Sequence, residues 1–392
     1  MWDERNGARS NASVAKTSQE RHSISPMKRS SRGRVALQFD PALDTLEGTH
    51  RMRDGLSGVT GSGDSLWIAC DETRSVERLD RKRARPPLFS AHASFALDDF
   101  LSIPGGSKGE ADLEDLDIAD GYLWLVGSHA ASRTLPQPGD SPRRVAKALA
   151  HTERKPSRCL LARIPIVGND GTQHLRKRAG HGDRKRLAAR LEDGRGGDAL
   201  IAALRGDEHL GDSLALPGKE NGLDIEGLAV VGERVLLGLR GPVLNGYAVI
   251  LEVELRPVRG HPSLLRLARF GRGHRLYRKH FLQLGGLGIR GLARQGLDLL
   301  VLAGPTSSLD GTARVYRWIG GARSDVQRRV RNSEVIAALD LPVGQGSDRP
   351  EGIVVVPSRD GRDRLLVVYE RAARARYLGK HGVAADLFVL PA

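Results

Sequence analysis

Residues 224–242 read DIEGLAVVGERVLLGLRGP: an acidic opening, a glycine, an apolar run, a short polar turn and a second apolar run. Two short apolar runs split by a turn predict consecutive antiparallel strands. The pattern returns in RDGLSGVTGSGDSLWIACDE (53–72), DLEDLDIADGYLWLVGSH (112–129), IRGLARQGLDLLVLAGP (289–305) and RPEGIVVVPSRDGRDRLLVVYE (349–370). The copies start at residues 53, 112, 224, 289 and 349, so only the second-to-third interval is long. A recurring unit of this kind marks a repeat architecture.

Each copy continues into a third strand: SVERLDR (75–81), CLLARIPIV (159–167), AVILEVEL (248–255), ARVYRWIG (313–320) and ADLFVLP (385–391). Fourth strands are expected at ASFALDDF (93–100), DSLALPG (212–218), KHFLQLG (279–285) and VIAALDLP (335–342). The last unit runs out of chain, whereas RVALQFD (34–40) is a strand without a unit. The two termini therefore complete one sheet between them, which closes a ring and removes exposed edges. The expected fold is all-β: a five-bladed β-propeller closed by the N-terminal strand, with a six-bladed ring as the alternative. An α/β fold is disfavoured because helical periodicity is scarce between the strands. The domain spans 34–392, with a partly helical basic insertion at 168–212 and a disordered basic tail at 1–33.

The net charge of +14 is unevenly placed. Residues 1–34 hold eight Lys/Arg against three Asp/Glu, and 133–195 hold sixteen against six, so the rest is nearly neutral. Such segments can bind polyanions, but without interleaved aromatics a solvated surface is preferred over a nucleic-acid site. Two cysteines, Cys70 and Cys159, make no disulfide framework. The first residues lack an apolar region, so no secretory leader is expected, and no apolar run is long enough to span a bilayer. A soluble, cytoplasmic protein with no membrane partner is expected.

In a propeller the start of each first strand and the end of each second strand meet at one channel mouth. The starts carry Asp54, Asp112 with Glu114 and Asp115, Asp224 with Glu226, Arg290, and Glu351. The ends carry Asp71 and Glu72, Ser128 and His129, Arg240, Pro305, and Glu370. Glycine follows the polar residue in Glu226-Gly227, Arg290-Gly291 and Glu351-Gly352, where a crowded axis needs close backbone approach.

Three readings of this charged ring stand. Glu114, Glu226 and Glu351 can ligate a hard cation, calcium or magnesium. Alternatively these carboxylates and His129 act as acid or base, with Asp54, Asp224, Arg240 and Arg290 binding the ligand and the arginines clamping an anionic group. Or the charges pair off as Glu226–Arg240 and Glu351–Arg290 to seal the channel. Ser128 and His129 are adjacent on a strand and point apart, so they make no dyad. No GxSxG elbow, zinc spacing, P-loop or dinucleotide fingerprint occurs.

The segments KENGLDIEGLAVVGERVLLGLRGPV, HFLQLGGLGIRGLARQGLDLLVLAGPTSSLDG, EADLEDLDIADGYLWLVGSH and RPEGI resemble the bacterial family known as domain of unknown function 3616, over roughly 34–392. The resemblance implies a propeller-scale fold and no particular activity. The opening Glu-Gly units are also similar, more loosely, to phytase-like and esterase-like propellers. That likeness implies channel carboxylates, matched by Glu114, Glu226 and Glu351, holding calcium to handle phosphate esters. Arg290 in unit four and Asp115 in place of glycine in unit two depart from it. The expected function is a charged small-ligand site at the mouth, with metal-assisted hydrolysis of an anionic ester. The alternative is a non-catalytic scaffold presenting its faces to protein partners.

Overall fold

The structure, a computed structural model, describes residues 32–391 apart from 45, 47–49, 107–108, 170–172, 183–184, 272, 308, 324–329 and 358–360. It is all-β and propeller-like, and no described helix is long and apolar enough to cross a membrane. The tail expectation for 1–31 lies outside the described residues. Strand β1 (Arg32–Gln38) already begins at Arg32.

Four antiparallel strands follow it: β2 (Leu56–Ser62), β3 (Ser65–Cys70), β4 (Ser75–Lys82) and β5 (Leu88–Ala96). The next meander is β6 (Leu113–Ala119), β7 (Tyr122–Gly127), β8 (Leu161–Val167) and β9 (Ala189–Leu191). The third is β10 (Asp224–Val231), β11 (Arg234–Gly241) and β12 (Tyr247–Val258), with β12 pairing both β13 (His261–Leu267) and β14 (Arg278–Gln283). Then come β15 (Gly288–Gln295), β16 (Asp298–Gly304), β17 (Ala313–Trp318) and β18 (Val335–Leu341). Last are β19 (Arg349–Val356), β20 (Arg364–Glu370) and β21 (Gly382–Val389). β1 pairs antiparallel with β21, from Arg32 opposite Phe388 to Gln38 opposite Gly382, so the first strand completes the last meander.

The first strands β2, β6, β10, β15 and β19 contact one another in that cyclic order, β19 returning to β2. Each lies between neighbours, so it is buried on both faces; all eight residues of β10 are buried. This explains their continuous apolar runs rather than strict alternation. Apolar layers fill the space between successive meanders, as where Trp67 and Ala69 meet Leu116, Leu125 and Ile164. Ile250 meets Leu292, Val301 and Trp318 in the same way.

One expected strand is corrected. DSLALPG (212–218) contains a 3-10 turn, Asp212–Ala215, and the fourth strand of the second meander is β9, within the basic insertion. There Ala189 and Leu191 enter the core while Arg190 turns its guanidinium to Asp193 at 2.9 and 3.0 Å. A charged residue that is locally satisfied hides a strand from a hydropathy reading. Among its described residues the rest of 168–212 holds short β-pairs and one α-helix, α2 (Ala199–Leu204), whose Leu200, Ile201 and Leu204 are buried. A longer helix, α1 (Pro142–Ala150), lies before the insertion and buries nothing.

Candidate functional site

Every first strand slips register against its second strand near its start. The skipped residues are Ser57, Glu114, Glu226, Arg290 and Glu351. A β-bulge re-aims the side chain it displaces, and all five line one cavity of about 930 Å³. The residue after each bulge packs against the neighbouring first strand. A Cβ at Gly58 would lie 2.7 Å from the Asp115 Cα, and one at Gly352 would lie 3.0 Å from the Val59 nitrogen. Glycine is required at these two positions by close approach.

Where unit two has Asp115 instead of glycine, its carboxylate closes the floor. It accepts hydrogen bonds from the backbone nitrogens of Leu116 (2.9 Å), Leu228 (2.7 Å) and Leu292 (3.3 Å), tying three first strands together. Burial, opposed by those hydrogen bonds, leaves the Asp115 carboxyl well above its ordinary range.

On this floor three carboxylates share two buried arginines, and a fourth, Glu114, lies beside them. Arg240 pairs with Asp224 and, at 2.6 Å, with Glu226. Arg290 reaches Glu226 at 3.0 Å and grips Glu351 through two nitrogens, one at 2.8 Å. Both arginines are thus spent on protein carboxylates. Glu114 has no hydrogen bond or ion pair among the described residues. Its donor oxygen lies with those of Asp224 and Glu226, all within 4.8 Å of one another. Asp224 Oδ1 is buried without a hydrogen-bond donor, and Glu226 Oε2 has only the Arg290 ion pair at 3.0 Å.

The electrostatics follow from this shortage of cations. Burial raises the Asp224 carboxyl to about 7; Arg240 opposes the rise and Glu226 and Asp112 add to it. Burial likewise raises Glu351 to about 8 against the pull of Arg290. Glu114 is pushed well above the carboxylate range by burial and then by Glu226, Asp112 and Asp224. Asp71 rises to about 7, first through burial and then through Asp112 and Glu370. Around the whole cavity eleven carboxylates face seven cationic side chains, an acidic recess in a chain of net charge +14.

The sequence-predicted residues divide. Glu114, Asp224, Glu226, Arg240, Arg290 and Glu351 come together in the cavity, and Asp112, Ser128 and Glu370 line its wall. Asp54 does not line it; it accepts from the Tyr377 hydroxyl at 2.9 Å, and Ser57 holds the equivalent place. His129 does not line it either. Fully buried, its Nε2 lies 2.8 Å from Asp198, whose other oxygen caps α2. Glu351 is not in the converging oxygen triad; Asp224 is. Arg158, absent from the sequence-based set, pairs with Glu110 at 2.5 Å and lies 3.4 Å from Asp112. It lies in the long second-to-third interval, outside the recurring pattern. The Ser57-Gly58 dipeptide, aligned with Glu226-Gly227, was the available signal for the first-unit position.

The fold and site together define a propeller-like domain with a charge-rich recess at one end of its strand ring. The chain belongs to the family described as protein of unknown function DUF3616, whose model matches residues 55–386. No characterised protein sequence matches it. Solved structures it resembles include a streptogramin B lyase (8% identity, TM-score 0.35, covering 92% of this chain and 98% of that one). Others are the Myxococcus xanthus glutaminyl cyclase (11%, 0.37, 91% and 98%) and the PQQ-bound aldose sugar dehydrogenase of Streptomyces coelicolor (12%, 0.34, 92% and 99%).

Proposed function

We propose that the repeat segments form a five-bladed propeller whose mouth is a cation-dependent small-ligand site, equipped for hydrolysis of an ester. The count of five is supported by the closed cycle of first strands and by the same register slip in each. The functional reading rests on one observation: Glu114, Asp224 and Glu226 converge their donor oxygens within 4.8 Å in an acid-rich cavity. An all-oxygen donor set suits calcium or magnesium. A bound ion supplies Lewis acidity toward a carbonyl or phosphoryl oxygen. Arg240 and Arg290 fix Asp224 and Glu226 in place rather than clamp substrate. Glu114, without a cationic partner among the described residues, is the carboxylate most in need of the ion's charge. An anionic ester meets repulsion here unless a cation offsets it.

Titrating calcium and magnesium into chelator-treated protein by calorimetry tests this. One ion per chain, with a melting temperature that rises with ion concentration, is expected; Glu114→Gln should remove the heat while the protein stays folded. No heat and no thermal shift with either ion overturns the reading. A second reading has its own support, the ion pairs that occupy both arginines. In it the ring is a structural seal on a non-catalytic propeller that presents its faces to protein partners, and no ion binds.

A further inference from the structure

The cavity floor is charged, whereas part of its collar is apolar. Leu135 and Leu309 are 77% and 74% exposed, and Leu149 and Val343 are 46% and 44% exposed. All four line the same cavity. Single exposed leucines are ordinary on a protein surface, whereas four large apolar side chains gathered on one recess mark a binding surface.

They come from segments outside the strand ring. Leu135 and Leu149 belong to an arm between β7 and β8, in which Ser132–Arg133 pairs with Thr152–Glu153 and α1 lies between. No residue from Ser132 to Pro156 is buried, so the arm adds nothing to the core. It is nonetheless tethered. Arg133 makes two 2.6 Å bonds to Glu220, and Arg154 donates to the carbonyls of His129 (2.8 Å) and Leu214 (2.7 Å). Leu309 and Val343 follow β16 and β18 in loops that also reach the cavity. A surface arm held in place without a core of its own, with its leucines on the mouth, is explained by what the mouth binds.

We infer that the ligand is a small amphiphile: a polar, oxygen-bearing head on the carboxylate floor and an apolar chain or ring against Leu135, Leu149, Leu309 and Val343. About 930 Å³ accommodates such a molecule, being within the range of small-ligand pockets. The head's contact with a divalent ion rests on the function proposed above; the apolar body does not.

The test is a chain-length series on the full chain. Straight-chain carboxylates from butanoate to octanoate, below their micellar concentrations, are titrated with saturating calcium. The matching alkylammonium series is titrated in chelator. Affinity should rise roughly fourfold for each added methylene buried against the collar, in the carboxylate series with calcium. The double variant Leu135→Ser/Leu309→Ser, at two exposed positions, should flatten that slope and leave melting temperature and calcium binding unchanged. A slope in the ammonium series alone, with no calcium response, overturns the cation site and the oxygen-bearing head and leaves only the apolar contact at the collar. Calcium binding with affinity independent of chain length removes the amphiphile and keeps the cation site. A slope that survives the double variant, or no binding of the longest members of either series, also overturns the inference.

Discussion

Two buried charge clusters in this chain are built from the same residue types and behave in opposite ways. In the third meander Glu252, on β12, is alone among cations. Arg234 and Arg278 each reach it at 3.0 Å and His280 at 2.6 Å. Burial works against its ionisation, yet the His280 and Arg234 hydrogen bonds outweigh that and hold its carboxyl at about 2. At the mouth the ratio is reversed: Asp224, Glu226 and Glu351 divide Arg240 and Arg290, and Glu114 has neither. There Asp224 is raised to about 7 and Glu351 to about 8. Burial acts in both places, so the difference comes from counting cations per carboxylate. A balanced cluster is complete as it stands. An unbalanced one invites a positive charge from outside, and such unbalanced groups gather where ligands bind.

The largest expected effect breaks the balanced cluster. Glu252→Gln strips Arg234 and His280 of a shared carboxylate in a closed environment and should cost about 3–5 kcal/mol in urea unfolding. Glu351→Gln at the mouth should cost about 1 kcal/mol or less. Arg290 keeps Glu226 at 3.0 Å, so no buried charge is left unpaired, and the amide removes a like charge. Equal losses at the two positions would dissolve the distinction between a structural cluster and a ligand site.

Acidity sharpens the comparison further. Glu252 holds fewer protons folded than unfolded, so its stability is present above its ordinary value of 4.5 and is lost as pH falls toward 2. Asp224 and Glu351 hold more protons folded than unfolded. Their contribution is therefore full below about 4 and drains away as pH rises toward 8. In chelator, thermal stability should rise from pH 2 to about 4.5 and then decline by several degrees toward pH 8. Calcium should flatten the declining limb alone. A chelated protein that gains stability steadily up to pH 8 would mean that the mouth carboxylates are compensated within the chain.

Much of the ring was legible because each unit is short, apolar and punctuated alike. DIEGLAVV and RPEGIVVV announce first strands buried on both sides, and RVALQFD announces the strand that completes the last sheet. Four of the five bulge residues were also visible, since a polar side chain inside an apolar run has to go somewhere. Ser57 was missed because serine is small enough to pass unnoticed, while the neighbouring Asp54 drew attention by its charge. His129 was misplaced for a related reason. Its role is set by Asp198, sixty-nine residues away, and no local pattern carries that contact. The β9 strand was hidden by Arg190, which interrupts its apolar pattern and is satisfied by Asp193 three residues on. Sequence periodicity reports which face a residue takes; it does not report which distant partner waits there.

A small expected effect of opposite sign is the most discriminating. Glu114→Gln keeps the size and shape of the side chain and removes one charge from the unbalanced group. Glu114 has no ion pair among the described residues, so the change breaks no salt bridge, and it relieves repulsion with Glu226, Asp112 and Asp224. In chelator at pH 8 the variant should be more stable than the parent by about 1 kcal/mol, an unusual sign for a mutation inside a cavity. With saturating calcium the order should reverse, because only the parent retains all three oxygen donors. A crossing of the two stability curves on adding calcium would separate a site kept for its ligand from a network kept for the fold. If Glu114→Gln is the less stable protein under both conditions, Glu114 supports the fold directly and the unbalanced charge at the mouth has a structural origin.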